Sequence, residues 1–234
     1  MKPPTIDAPD ESLSVARVRD LITPMDIRTR VVVLQHPQER DRNLGTVPLL
    51  QAMLPKQVEV IVGLSWPSLA RLLDDGDADA LRWAVLYPGS LPRELQRNEQ
   101  TAPVLRLDRN GNALGPTPHL QGLLVLDGSW SQAKTLWWRN PWLLKVQRLV
   151  LHPKEPSIYG KLRKEPRREA VSTLESVADA LVFNGEPREV RDSLRKVFRT
   201  MVQRARDEMK NTPLLPDPED DPSDDEGPPE TGGA

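Results

Sequence analysis

Five short apolar runs constrain this chain more than any other feature: residues 30–36 (RVVVLQH), 58–65 (VEVIVGLS), 82–89 (RWAVLYPG), 123–127 (LLVLD) and 146–152 (VQRLVLH). Each is rich in Val, Leu or Ile and short, so each reads as a strand. The runs are near-continuous rather than alternating, which is the pattern of strands covered on both faces. Helical patterns separate and follow them. Residues 68–73 with 78–81 make a short one. Residues 131–138 follow the fourth run and stop at Asn140-Pro141. Residues 172–183 (STLESVADALVF) open with Ser172 and Glu175 at capping-box spacing, and Gly185 follows their end. Residues 188–207 are long, with Val190, Leu194, Val197, Phe198, Met201, Val202 and Ala205 along one face. Strands alternating with helices predict an α/β fold: a mostly parallel sheet with helices on both faces. No internal repeat interrupts the pattern.

A chain of 234 residues fits one domain with tails. Residues 1–11 and 211–234 are proline-rich and polar and bury nothing that would offset ordering entropy, so both are expected to be disordered. That leaves 12–210 as the domain. The chain contains no cysteine, which excludes disulfides, cysteine-based zinc sites and cysteine nucleophiles. No apolar stretch reaches membrane-spanning length and the first residues have no signal-peptide pattern, so a cytoplasmic setting is expected. The net charge of −2 conceals an uneven distribution. Residues 211–234 hold eight acids and no base, so the rest carries 32 bases against 26 acids. Residues 134–170 alone hold ten Lys or Arg against three acids. A basic face of this kind suits a polyanion.

The fourth apolar run ends in Asp127-Gly128-Ser129-Trp130. In parallel sheets, ligands bind outside the carboxyl ends of the strands, which is where this carboxylate falls. Gly128 permits a tight turn, and Ser129 or Ser131 can cap the helix beyond. The plainer alternative is that Asp127 itself caps that helix, beside its positive end. Trp130, Trp137, Trp138 and Trp142 crowd into thirteen residues; most are expected in the core, with the one at the strand–helix turn, Trp130, able to stack on a base or wall a pocket. Residues 159–166 (YGKLRKEP) form a basic turn in which Arg163 can grip a carboxylate or phosphate in a fork. No second histidine stands at metal-ligand spacing from His36, so no metal site is expected. Phosphate-loop and dinucleotide fingerprints are absent, and Gly111 to Gly115 read as turn chemistry. Gly128-Ser129-Trp130 is only half of a nucleophile elbow.

Taken together, these blocks resemble the DTW-domain family, the tRNA-uridine aminocarboxypropyltransferases, whose name motif D-x-[T/S]-W stands here as Asp127-Gly128-Ser129-Trp130. The likeness extends to LDGSWSQAKTLWWRNPWL, to QHPQERDRNLGT, to LYPG at 86–89 and to YGKLRKEPRREAVSTLESVA at 159–178, in order across residues 30–185. The chain departs from many relatives in lacking an N-terminal cysteine cluster, and Ser129 replaces threonine while keeping the hydroxyl.

The resemblance implies a SPOUT-like sheet with a C-terminal trefoil knot. It also implies transfer of the 3-amino-3-carboxypropyl group from S-adenosylmethionine to N3 of a tRNA uridine, with methylthioadenosine leaving. On that reading Asp127, Ser129 and Trp130 form the catalytic set. Asp127 takes or orients the N3 proton, or binds the donor's ammonium; burial against Trp130 or Leu126 would have to strengthen it as a base. Leu86, Pro88, Gly89, Leu126, Ser172 and Thr173 are expected around adenine and ribose, and Arg163 or Lys164 at the α-carboxylate. Arg40, Arg42, Lys134, Arg139, Arg167 and Arg168 are expected on tRNA phosphates. Methyl transfer, transfer to ribosomal RNA and a non-catalytic RNA-binding domain are the rival readings.

Overall fold

The computed structural model describes residues 12–39, 44–87, 101–108, 110, 112–115, 119–162 and 171–211. Most of the two expected disordered ends, 1–11 and 212–234, therefore lies outside the described residues.

All five apolar runs form strands: β1 (Arg30–Gln35), β2 (Val58–Val62), β3 (Trp83–Leu86), β6 (Gly122–Asp127) and β7 (Gln147–Leu151). Their mutual pairings are all parallel. Two short strands not foreseen from sequence, β4 (Val104–Leu107) and β5 (Ala113–Leu114), add an antiparallel hairpin beyond β7. The order is β2-β1-β6-β3-β7-β4-β5. Residues 113–114, expected as turn, are strand because β4 supplies partners; both are exposed and carry no pattern of their own. Continuous apolar runs sit where both faces are covered: all four residues of β3 are buried, as are five of six in β6. The edge strand β2 is less covered: only Val58 and Ile61 of its five residues are buried.

Helices α1 (Leu13–Ala16), α2 (Val47–Met53), α3 (Leu69–Leu73), α4 (Trp130–Arg139), α5 (Thr173–Phe183) and α6 (Arg188–Asn211) complete the described elements with several 3₁₀ turns. The expected helix at 78–81 is reduced to one such turn, Ala80–Arg82. The α2 helix was not anticipated, because it is short and apolar nearly all round. The last helix runs on to Asn211, four residues past the expected end.

Two apolar layers sandwich the sheet. Val31, Val33, Ala84, Leu123, Val125 and Leu149 face α2, α5 and α6. Val32, Leu34, Val85 and Leu124 face α3, α4 and the 141–145 turn. The chain leaves β1 through α2 toward β2 on one side, and leaves β6 through α4 toward β7 on the other. Connections of one hand that travel in opposite directions must cross opposite faces, as α2 and α4 do. Between β1 and β6 the winding thus reverses. Such a reversal is where open α/β sheets bind their ligands, and at the carboxyl ends of these two strands Gln35 is in register with Asp127.

Candidate active site

Asp127 ends β6 and is 9% exposed. Its Oδ2 accepts a 2.9 Å bond from Gln35 Nε2, and its Oδ1 a 2.6 Å bond from Thr173 Oγ1. The clamp therefore draws on three elements far apart in sequence: the end of β1, the end of β6 and the start of α5. Both contacts donate to the carboxylate, which has about four acceptor sites and so keeps roughly half of them for a ligand.

The alternative that Asp127 caps the following helix is overturned. Ser129 is the cap: its Oγ accepts from Gln132 N at 3.4 Å, and its own N–H donates to Gln132 Oε1 at 2.6 Å. This capping box satisfies the end of α4 and releases Asp127 to face Gln35 and Thr173. Gly128 makes the turn possible. A Cβ there would lie 2.8 Å from Cβ of Gln132 and 3.4 Å from Cβ of His36, so no larger residue fits without displacing one of them. Gln132 Nε2 reaches on to Gln38 Oε1 at 3.1 Å, and Gln38 N–H donates to His36 Nδ1, so the loop after β1 is tied to the first turn of α4.

Thr173 is held by a second layer. The capping box predicted at Ser172 is present, with Ser172 Oγ accepting from Glu175 N at 3.2 Å. Glu175 is fully buried, and its carboxylate accepts from Ser172 N, Ser172 Oγ, Ser157 Oγ and Ile158 N at 2.8–3.0 Å. Four donors satisfy a charge that burial would otherwise make costly, and Arg195 approaches at 3.8 Å. Leu174 N–H donates to Thr46 Oγ1, which joins the starts of α5 and α2. Tyr159, also fully buried, donates its hydroxyl to Leu44 O and stands edge-on to Phe198 at 4.9 Å. The positive end of α5 is thus fixed at the rim where Asp127 sits.

The other expected site residues divide by place. Leu86 ends β3 on the neighbouring strand, and Leu126 precedes Asp127; both lie at the same sheet edge. Trp130 opens α4, half-buried. Lys134 and Arg139 are exposed on α4. Pro88, Gly89, Arg163, Lys164, Arg40, Arg42, Arg167 and Arg168 lie outside the described residues. Arg148, counted in the basic stretch, is committed inward: its guanidinium lies 5.4 Å from the ring centres of both Tyr87 and Trp137. Trp137 and Trp142 are core, whereas Trp138 is 78% exposed. Gln35 was not among the expected site residues. Its signal was a polar residue closing an apolar strand, the same signal that singled out Asp127. Among the described residues no cluster of three His, Asp or Glu is arranged to hold a metal, and no helix is long and apolar enough to cross a membrane. A cavity of about 220 Å³ lined by Leu21, Met25, Met53, Ser193, Lys196 and Val197 involves none of these residues.

Comparison with known proteins finds the DTW domain family, whose model matches residues 14–206. Among curated proteins, the chain is similar to proteins named tRNA-uridine aminocarboxypropyltransferase 2. It is 28% identical to that of Macaca fascicularis over 68% of this chain and 48% of the relative. For Mus musculus the figures are 30%, 68% and 49%, and for Drosophila melanogaster 28%, 77% and 66%. The chain thus spans about half the length of the two mammalian relatives. No solved structure matches.

Proposed function

This chain belongs to the DTW domain family, and from that premise we propose that it transfers the 3-amino-3-carboxypropyl group of S-adenosylmethionine to N3 of a tRNA uridine. The observation that carries the reading is the clamped carboxylate: Asp127, fixed by Gln35 and Thr173 at the strand ends where the sheet's winding reverses.

The neutral uridine imide is a poor nucleophile. Asp127 accepts the N3–H and draws off its proton as N3 attacks the γ-carbon of the donor. The N3–Cγ bond forms, the S–Cγ bond breaks, and its electron pair returns to sulfur, so that uncharged methylthioadenosine leaves. All three carbons on the sulfonium are electrophilic, so choosing the longer chain over the methyl is a matter of aim. A carboxylate held from two sides keeps the aim. Leu86, Leu126 and the Ser172-Thr173 turn flank adenosine, and Trp130 walls the uridine. Ser129 acts by capping α4 and thereby placing Trp130. Arg163 or Lys164 binds the α-carboxylate. Lys134 and Arg139 meet tRNA phosphates together with Arg40, Arg42, Arg167 and Arg168. The likeness to the SPOUT class, a knotted C-terminal part and a cytoplasmic setting belong to the same proposal.

The test is incubation of purified protein with S-adenosylmethionine and tRNA, followed by mass spectrometry of nucleosides and co-product. Aminocarboxypropyl-uridine with methylthioadenosine is expected. Asp127→Asn, which turns an acceptor oxygen into a donor, should lower turnover roughly 100-fold or more. Release of S-adenosylhomocysteine would mean methyl transfer instead, and wild-type turnover in the Asp127 variant would remove that residue from the chemistry.

A further inference from the structure

We propose that the outer side of α4 is a track for single-stranded or looped RNA, with Trp138 as its base-stacking platform. The inference rests on the tRNA reading above and assigns where the strand runs.

Of the four tryptophans in this segment, Trp137 and Trp142 are buried and Trp130 half-buried, whereas Trp138 has 78% of its surface in water. A single exposed apolar side chain is ordinary on any protein surface. Here its neighbours make it informative. Trp130, Lys134 and Trp138 follow one another at helical spacing of four, so they lie along one side of α4. Arg139 adjoins Trp138, and Lys145 lies just beyond in the 141–145 turn; both are exposed, as is Lys134. Among the described residues no carboxylate pairs with any of these three cations. From Gly128 through Lys154 the sequence holds five Lys or Arg and not one Asp or Glu.

Flat aromatic faces alternating with unpaired cations match a polymer that carries both flat bases and anionic phosphates. A second copy of the chain fits worse. A two-fold contact would set this patch against itself and press like charges together. The direction of the track is also informative. Trp130 stands three residues after Asp127, and Trp138 is eight residues further, roughly 12 Å along the helix axis. At about 3.4 Å per stacked nucleotide, a base on Trp138 lies some three to four nucleotides from one held beside Trp130. The platform would therefore grip the nucleotides flanking the reactive uridine and fix its register.

The experiment uses the full chain, a fluorescent tRNA transcript and a fluorescent oligouridylate, with binding read by anisotropy. Trp138→Ala should weaken binding roughly 5- to 100-fold. Trp138→Phe should retain most of it. The melting temperature should stay unchanged, since the side chain is mostly in water. Lys134→Ala should reduce the slope of log K against log salt by about one, whereas Trp138→Ala should leave that slope alone. Wild-type affinity in Trp138→Ala, or a change in sedimentation showing that Trp138 joins two copies, would overturn the proposal. If wild-type protein modifies tRNA and Trp138→Ala does so with equal affinity, this inference alone fails. If wild-type protein neither binds nor modifies tRNA, the functional reading fails with it.

Discussion

Replacing Thr173 with valine keeps the shape of the side chain and deletes the hydroxyl that donates to Asp127 Oδ1 at 2.6 Å. A hydrogen bond to a charged group contributes about 1.5–3 kcal/mol, and here the acceptor left behind is buried. For a domain of this size each kcal/mol moves the melting temperature by about 2–4 °C, so Thr173→Val should melt about 3–12 °C lower. Asp127→Ala removes the same bond from the other end. Urea unfolding followed by tryptophan fluorescence, on both single variants and the double variant, completes a cycle. The double variant should lose about 1–3 kcal/mol less than the sum of the two single losses. Thr173→Ser restores the donor and should recover both stability and transfer. Strict additivity, within about 0.5 kcal/mol, would show that the two side chains do not interact, and the orientation argument for Asp127 would lose its basis.

Three further outcomes are expected. Gly122→Ala should destabilise by about 1–3 kcal/mol or more, because the new Cβ would meet the buried Trp83 ring at 2.3 Å; calorimetry checks it, and an unchanged melting temperature would mean the ring moves freely. Ser129→Ala breaks the α4 capping box and should cost about 1 kcal/mol in chemical denaturation, while leaving the Gln35 and Thr173 bonds to Asp127 in place. Burial pushes the Asp179 carboxyl above its ordinary range, against the opposing pull of Arg195 and Arg191. The folded state then holds that proton more tightly than the unfolded chain, and stability falls as pH rises from the unfolded value through the raised one. Asp179→Asn should therefore melt higher than wild type at neutral pH, with the gain vanishing below about pH 3, where both states are protonated.

Much of the architecture was legible. Apolar runs without alternation announced strands covered on both faces, and β1, β3 and β6 are covered in that way. Ser172 with Glu175 marked the start of α5 to the residue. What was missed had no local signature. The β4–β5 hairpin draws its order from the edge of β7, and α2 is too short to show a polar face.

The site divides along the same line. The sequence alone identified Asp127 as an acid closing a buried strand, and the turn residues beyond it. It also fixed the uneven charge and the absence of cysteine chemistry, because these are properties of composition and of near neighbours. It left open whether Asp127 caps its own helix, and it pointed to Trp130 rather than Trp138 as the tryptophan outside the core. Tertiary structure decided both. Gln35 and Thr173 come from elements 92 and 46 residues away and meet Asp127 only when the sheet reverses its winding between β1 and β6. Helical spacing and backbone bonding are local, but a hydrogen bond between strand ends exists only once the chain has closed on itself.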